Sequence, residues 1–431
     1  MQKTSEKTED PSQDIATSTV VHSHRTSTHH HDSSHNHHHN SHHSDHHKRV
    51  EDLYTLKSKL QLSNQLDHLV NNHKPVTQMC LERVKEFGKL HGFLDTPLRA
   101  KAYMYLFGIK DSDLELNQLA FSLVPTKKLA IADAEIIQAD TNRSLLDFPE
   151  LENHQPEALA EKREELKQIL TMFFVRNQRF SYYQGMNCVA EVLMLAFGKS
   201  MGFLFLEKIA QRHLEKYLTQ EGFDFEVKNQ VYITLHILDK ELPNYKEILR
   251  IDDSGNGPEK LGFIVSWIVT WFSYKSKNLE RIFRTFDYLM CTPRHTVSIL
   301  VSLVIRQLIQ RHKLLPGAEE EDVFTAFYSG DLDELNWEGM YKEATLLNEL
   351  EDYGQLDYRK NKDSRLGKLV NGLKGRIQGG ISMLKLSRDD NSNSKSFKDK
   401  LKAGISKGIA LGSGLFKRKE SKSRSRSRDQ Q

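Results

Sequence analysis

Cysteine is scarce in this sequence. Only 3 of its 431 residues are cysteines, Cys80, Cys188 and Cys291, and they lie far apart with no CxxC pair. A disulfide framework needs an even set of closely patterned cysteines, so that class of small secreted scaffold is excluded. The simplest interpretation is a protein of a reducing, intracellular compartment.

Long apolar runs are also missing. The longest, LGFIVSWIVTWF at residues 261–272, is shorter than the about 20 residues that one bilayer crossing needs. The first residues, MQKTSEKTEDPSQD, are charged and lack the apolar stretch of a signal peptide. The sequence therefore predicts a cytoplasmic chain without a transmembrane segment, and a buried core helix at residues 261–272.

The motifs of self-sufficient active sites are absent as well. The chain contains no GxxxxGKS/T phosphate loop, no HExxH zinc helix and no GxSxG nucleophile elbow. We therefore expect no cofactor and no resident metal, and any chemistry has to be contributed to the active site of a partner.

Charge is unevenly distributed along the chain. Residues 365–431 hold 18 Lys and Arg against 5 Asp and Glu, a net +13, while the whole chain carries only +3. A polycationic tail on an acidic body favours an anionic partner, either membrane lipid or nucleic acid. A solvated tail without any partner is the alternative.

Composition predicts four regions. Residues 1–48 are rich in Ser, Thr, Asn and His and poor in core-forming side chains, so we expect disorder there. Their histidine clusters can bind Zn²⁺ loosely, but the spacing fixes no coordination geometry and we assign no metal site. Residues 49–90 form a helical lead-in, residues 91–355 the folded domain, and residues 356–431 a basic tail.

The periodicity of the middle region is helical. Apolar residues recur there at steps of three and four, alternating strand patterns are scarce, and prolines fall near the ends of the periodic blocks. In the tail, a similar stripe predicts a basic amphipathic helix suited to an anionic membrane surface. That stripe consists of Leu366, Leu369, Val370, Leu373, Ile377, Ile381 and Leu384. The predicted fold class is all-α.

Two segments carry the functional information. IQADTNRS at residues 137–144 and YYQGMN at residues 182–187 resemble the IxxDxxR and YxQG motifs of TBC-domain Rab GTPase-activating proteins. GFLDTPLRAKAYMYLFG at residues 92–108 resembles the opening segment of that family, and RTFD at residues 284–287 resembles its RxWD. In both of these, another aromatic residue, Tyr103 or Phe286, stands where the family usually has Trp. The resemblance covers roughly residues 92–355 and implies a multi-helix TBC domain made of two helical subdomains.

The resemblance also implies roles for individual residues. Arg143 matches the arginine finger and Gln184 the glutamine finger, both supplied in trans to a GTP-bound Rab that carries the GTP and Mg²⁺. An inserted guanidinium suits the charge that spreads over the γ-phosphoryl oxygens, and a carboxamide suits the attacking water. The supporting or Rab-binding positions are Asp140, Tyr182, Gly185, Ile137 and Asn142.

A narrower resemblance concerns location. DTNRSLLDFPE, RNQRFSYYQG and the SWIVTWF run are similar to the ER-associated TBC subgroup, whose members act on the Rab of ER-to-Golgi transport and carry a C-terminal membrane anchor. This chain ends in the basic tail instead, so we expect peripheral contact with ER or Golgi membranes.

Other interpretations stay open at this point. Asp140 and Arg143 at an i, i+3 spacing can be an ordinary surface ion pair. The chain can also be a Rab-binding membrane scaffold that does not stimulate hydrolysis. Finally, KRKESKSRSRSR at residues 417–428 is compatible with RNA binding or nuclear import, although no aromatic residue follows Phe416 to stack on bases.

Overall fold

The computed structural model describes residues 40–71, 76–122, 129, 131–145, 148, 151, 155–219, 221–251, 258–329 and 332–373. Within these ranges every regular element is a helix and there is no strand, which confirms the all-α prediction. The α-helices, numbered α1 to α16 in chain order, are Asn40–Asn71, Gln78–His91, Thr96–Phe107, Asp111–Ser122, Ile131–Asn142, Pro156–Arg176, Met186–Ile209, Glu215–Leu218, Gly222–Glu241, Tyr245–Ile248, Gly262–Thr270, Leu279–Met290, Thr296–Arg311, Glu320–Phe324, Trp337–Leu350 and Arg365–Asn371.

Shorter segments join these helices. Two are π-helical, Ala210–Leu214 and Thr325–Ser329, and the 3-10 segments are Pro258–Leu261, Ser273–Lys275, Leu332–Glu334, Tyr353–Gln355 and Tyr358–Asn361. The chain divides into two compact units, Met1–Ser58 and Lys59–Gln431. Helix α1 begins at Asn40, inside the 1–48 segment predicted to be disordered, because a nucleated helix extends one residue at a time at little cost. Residues 1–39, with the histidine clusters, lie outside the described residues.

The core of the larger unit is built around α7 and α11. Helix α11 is buried on all sides, as predicted for residues 261–272, and Trp267 is among the largest fully buried side chains. Helix α7 contacts α3, α4, α6 and α12. One helical stretch among the described residues, Met186–Leu218, is long and apolar enough to cross a membrane by length and composition. Since 61% of its most apolar window is buried in the protein, packing explains that composition.

Capping residues at both ends determine where helix α3 begins and ends. Asp95 precedes α3, and its carboxylate accepts a hydrogen bond from the amide of Leu98 at 2.9 Å, while Pro97 lies in the first turn. Gly108 ends the same helix in the left-handed conformation, with φ of 67°. These residues place Arg99 and Tyr103 on the buried face of α3.

A buried ionic cluster joins α3 to α12. Asp287 is fully buried and accepts hydrogen bonds from the amide of Phe93 at 2.8 Å, from Nε of Arg99 at 3.1 Å and from Oη of Tyr103 at 2.7 Å. Burial, and then the Asp287 carboxylate, raise the pKa of Tyr103 well above its ordinary value. The segment at residues 92–108, which contains Arg99 and Tyr103, therefore contacts RTFD, which contains Asp287. The hydroxyl group of Tyr103, which a Trp at this position would lack, donates to the Asp287 carboxylate.

The C-terminal part of the described chain corrects one expectation. Leu366, Leu369, Val370 and Leu373 are buried, and α16 packs on α9. These residues were predicted to begin a membrane-binding stripe, and for them that prediction is wrong. Burying four apolar side chains against α9 removes more apolar surface from water than a free helix can. The rest of the stripe, and the Arg/Ser-rich end, fall in residues 374–431, outside the described residues.

Candidate functional site

The first motif occupies the end of α5. Ile137 is buried and Asn142 is exposed, so the helix has an inner and an outer face. Asp140 is fully buried in the last turn of the helix. Arg143 is the first residue after the helix, and its side chain keeps 18% of its surface exposed. The guanidinium group of Arg143 is thus partly exposed at the protein surface, whereas the carboxylate of Asp140, with which it pairs, is buried.

Asp140 holds Arg143 through an ion pair. Nη2 of Arg143 donates to Oδ1 of Asp140, and the amide of Arg143 bonds the Asp140 carbonyl oxygen at 3.3 Å. A surface pair of this spacing would contribute little, but here the carboxylate is buried. The interpretation of the two residues as an ordinary surface pair therefore does not fit the structure.

The second motif lies in the loop between α6 and α7. Oη of Tyr182 donates to Oδ2 of Asp140 at 2.7 Å, which joins the two motifs directly. The ring of Tyr182 meets Phe174 edge to face, with 5.7 Å between centroids. Burial, followed by the Asp140 charge, raises the pKa of Tyr182 well above its ordinary value, so the phenol stays protonated and remains a donor.

Gly185 turns the chain from this loop into α7. Its φ is 109°, a conformation that favours glycine, and it caps the N-terminus of the helix. Gln184, immediately before it, is half-buried. The amide nitrogen Nε2 of Gln184 is buried and has no hydrogen-bond acceptor within the described part of the chain. A buried donor without an acceptor is costly, and a water molecule or a bound partner usually satisfies such a group.

Other residues of the loop are tied to the body. Oη of Tyr183 donates to the carbonyl oxygen of Val269 in α11 at 3.1 Å, and the amide of Ser181 donates to the carbonyl of Leu218 at 2.7 Å. The ring of Tyr183 stacks on Phe223 with 5.7 Å between centroids. Sequence reasoning missed Tyr183, because nothing local distinguishes it from its neighbour.

The structure also assigns contacts to four residues that were not predicted as site residues. Nδ2 of Asn187 donates to Oγ of Ser144 at 3.0 Å, and Oε1 of Glu191 accepts from the amide of Leu145 at 2.6 Å. Leu145 has a φ of 66°. This conformation costs a non-glycine residue about 1–2 kcal/mol and persists only where surrounding contacts hold the residue in it. The signal for Glu191 was present: it is the only charged residue in the apolar stretch MNCVAEVLMLAF at residues 186–197.

The arrangement offers two polar groups rather than a complete active site. A partly exposed guanidinium, Arg143, and a half-buried carboxamide, Gln184, lie on two segments that Asp140 and Tyr182 join. Among the described residues, no group of three or more His, Cys, Asp and Glu is arranged to hold a metal ion. The pair can stabilise negative charge and orient a water molecule on a molecule that brings its own reacting groups.

Comparison with known proteins agrees with this geometry. Residues 96–315, half of the chain, match the family model of the Rab-GTPase-TBC domain. The chain is 24% identical to the GTPase-activating protein gyp10 of Schizosaccharomyces pombe over 226 residues, which are 52% of this chain and 57% of that protein. It is 25% identical to TBC1 domain family member 20 of Homo sapiens over 175 residues, which are 40% of this chain and 41% of that protein. The match thus spans about half the length of these curated relatives.

A solved structure shares the fold. The crystal structure of the Ypt/Rab-GAP domain of Gyp1p superimposes with a TM-score of 0.52 over 68% of this chain and 99% of that chain. Sequence identity between the two is 10%, so this likeness concerns the fold alone.

Proposed function

Because the chain belongs to the Rab-GTPase-TBC domain family, we propose that it accelerates GTP hydrolysis on a Rab GTPase by supplying Arg143 and Gln184 in trans. The observation that carries this proposal is the hydrogen bond between Tyr182 and Asp140. It brings together the two motifs, whose bonded residues are 42 positions apart in sequence, and each motif contains one finger residue. The GTP and Mg²⁺ belong to the Rab, and the chain needs no cofactor of its own.

Arg143 stabilises the transferring phosphoryl group. Charge in that transition state spreads over the γ-phosphoryl oxygens, and a guanidinium placed beside them lowers the barrier. The buried carboxylate of Asp140 anchors the guanidinium at the rim, so less side-chain freedom is lost when the Rab docks. Asp140 therefore acts on the reaction through Arg143.

Gln184 orients the attacking water. Its carboxamide can donate to a phosphate oxygen or to the Rab backbone through Nε2, while the carbonyl oxygen accepts from the water. No acceptor for Nε2 lies among the described residues, so no internal hydrogen bond of this group has to break when the carboxamide bonds the Rab. Gly185 lets the backbone approach the Rab closely at this point.

The function is tested by single-turnover GTP hydrolysis on a panel of GTP-loaded Rabs, each mixed with excess full-length chain. Acceleration of at least one Rab is the expected result. Stable binding to a GTP-loaded Rab without any acceleration would instead establish the scaffold alternative. The same panel reports the target, for which we propose the Rab of ER-to-Golgi transport, a choice supported by the segments that are similar to the ER-associated subgroup.

Gln184→Ala is expected to lower the maximal rate of stimulated hydrolysis by roughly 10²- to 10³-fold, as loss of one positioned polar group in a transition state does. The measurement is the single-turnover rate at saturating chain concentration. Gln168→Ala is a matched control, because this exposed glutamine on α6 bonds the Lys199 side chain and no other group among the described residues, so its loss should leave the rate unchanged. An equal loss in both variants would contradict the role of Gln184.

The tail offers a prediction about location. We propose that residues 374–431 hold the chain on anionic membranes, while α16 remains part of the folded body. The full chain should float with phosphatidylserine vesicles and detach at about 0.5 M salt, since screening weakens lysine and arginine contacts. A chain that ends at residue 373 should stay in the unbound fraction.

Equal flotation of both forms would show that residues 374–431 do not hold the chain on membranes. Binding to RNA but not to vesicles would favour a nucleic-acid partner.

A further inference from the structure

Two residues of helix α7 form hydrogen bonds with the segment that directly follows Arg143. Asn187 and Glu191 are four residues apart on that helix, so they lie on the same face one turn from each other. Asn187 donates to Oγ of Ser144 at 3.0 Å, and Glu191 accepts from the amide of Leu145 at 2.6 Å. Two consecutive residues of the chain, the first directly after Arg143, are thus fastened to one helix.

From this contact pattern we propose that Asn187 and Glu191 form a clamp that positions Arg143 for catalysis. The proposal rests on the proposed function and deepens it. Both residues are positioning residues, because they contact the segment that follows Arg143 and not the reacting groups.

The clamp lies directly after the C-terminal end of α5, a part of the helix that would otherwise open readily. Arg143 is the first residue beyond the last turn, and helix ends are the parts of a structure that open most easily. Oγ of Ser144 also donates to the carbonyl oxygen of Asp140 at 3.0 Å, and Nε of Arg163 donates to the carbonyl of Ser144 at 3.1 Å. These bonds restrict the backbone at Ser144 and Leu145, directly after Arg143.

The same helix lies next to the segment that carries Gln184. Gln184 is two residues before the first residue of α7, Met186, and the clamp residues follow within the first two turns. Oδ1 of Asn187 also lies 3.3 Å from Oη of Tyr182, whose single proton goes to Asp140, so Asn187 contacts Tyr182 and bonds Ser144 of the arginine segment. Because α7 bonds the arginine segment and begins two residues after Gln184, one helix links the two finger-bearing segments.

Buried hydrogen bonds alone would also fit a purely structural role, so the control must be a buried hydroxyl outside the clamp. Thr141 is such a residue. It is 1% exposed and lies three residues before Ser144, but its Oγ1 donates to the carbonyl oxygen of Ile137 in its own helix. Thr141→Val removes that hydroxyl without touching the clamp.

The test compares Asn187→Ala and Glu191→Ala with Thr141→Val in the full-length chain. We expect each clamp variant to lower the maximal single-turnover rate on the Rab by about 10- to 100-fold, the effect of a displacement of about 1 Å at a catalytic group. The chain concentration at half-maximal rate should stay nearly constant, because the Rab-binding surface is intact. Thr141→Val should keep the wild-type maximal rate, and Glu191→Gln should recover most of it, since a glutamine oxygen can still accept from Leu145.

Two further measurements separate positioning from stability. In the Arg143→Ala background, Asn187→Ala should cause no additional loss, because the group that it positions is gone. Hydrogen exchange at the Leu145 amide should be faster in Glu191→Ala than in wild type and unchanged in Thr141→Val, whatever the activity.

Several results would overturn the inference. They are an equal loss of rate in Thr141→Val, an additive loss in the Arg143→Ala background, or unchanged exchange at the Leu145 amide in Glu191→Ala. If wild type accelerates no Rab, the proposed function itself falls and takes the catalytic use of the clamp with it. The exchange measurement then still reports separately whether Glu191 holds the segment.

Discussion

Arg143→Ala is expected to lower stimulated GTP hydrolysis by roughly 10³- to 10⁵-fold, the range over which arginine fingers supplied in trans act. An alanine at this position removes the positive charge that this chain supplies beside the γ-phosphoryl oxygens, in addition to the Mg²⁺ of the Rab. Binding of the GTP-bound Rab should persist, because the rest of the surface is unchanged. The measurement is the single-turnover rate at saturating chain, together with binding to a Rab loaded with a non-hydrolysable GTP analogue.

Arg143→Lys and Arg179→Ala are the informative companions of this variant. Lysine keeps the charge but not the planar fork that bonds two oxygens at once, so Arg143→Lys should also lose most of the rate. Arg179 lies on the Gln184 loop, is 65% exposed and pairs with Glu215 at 3.1 Å. Its replacement by alanine should leave the maximal rate near that of wild type. A rate in Arg143→Ala within tenfold of wild type would show that the arginine-finger assignment is wrong.

Asp287→Ala is expected to lower the free energy of unfolding by about 3–5 kcal/mol, the cost of removing one partner from a buried ion pair. Arg99 is 2% exposed and would keep its charge without that carboxylate, and the amide of Phe93 and the hydroxyl of Tyr103 would lose their acceptor. The measurement is denaturant unfolding followed by circular dichroism. Loss of soluble protein on expression would be the extreme form of the same result.

Two other variants serve as comparisons for the stability of Asp287→Ala. Tyr103→Phe removes only the hydroxyl that donates to Asp287 and should cost about 1–3 kcal/mol, as loss of one buried hydrogen-bond partner does. Asp67→Ala breaks an exposed ion pair with Lys101, whose side chains are 45% and 49% exposed, and should change stability little. If Asp287→Ala were no more destabilising than Asp67→Ala, the cluster would not be the joint between α3 and α12.

Much of the fold could be predicted from the sequence. The helical class follows from apolar residues at steps of three and four, and the start of α3 from Asp95 and Pro97. The buried nature of residues 261–272 follows from an apolar run too short for a membrane. The error at Leu366 to Leu373 has a physical reason. A stripe of apolar and basic residues looks the same whether its apolar face meets lipid or another helix, and only the presence of α9 decides.

The candidate site divides in the same way. The two motif segments and their finger residues, Arg143 and Gln184, were predicted from the chain alone, and their catalytic roles stay predictions that the variants above test. Tyr103 shows the limit of such reasoning. The sequence indicated that an aromatic ring was retained at this position, whereas the hydrogen bond from its hydroxyl to Asp287 spans 184 residues and is visible only in the folded chain.

The sequence by itself indicated the helical class, the family and two candidate finger residues, because periodicity, capping and short motifs are local properties of the chain. Only the tertiary structure decided what holds those residues. The contact of Asp140 with Tyr182 spans 42 residues, and that of Leu145 with Glu191 spans 46. Contacts over such separations depend on how α5, α6 and α7 pack, and packing is a collective result of all the buried side chains.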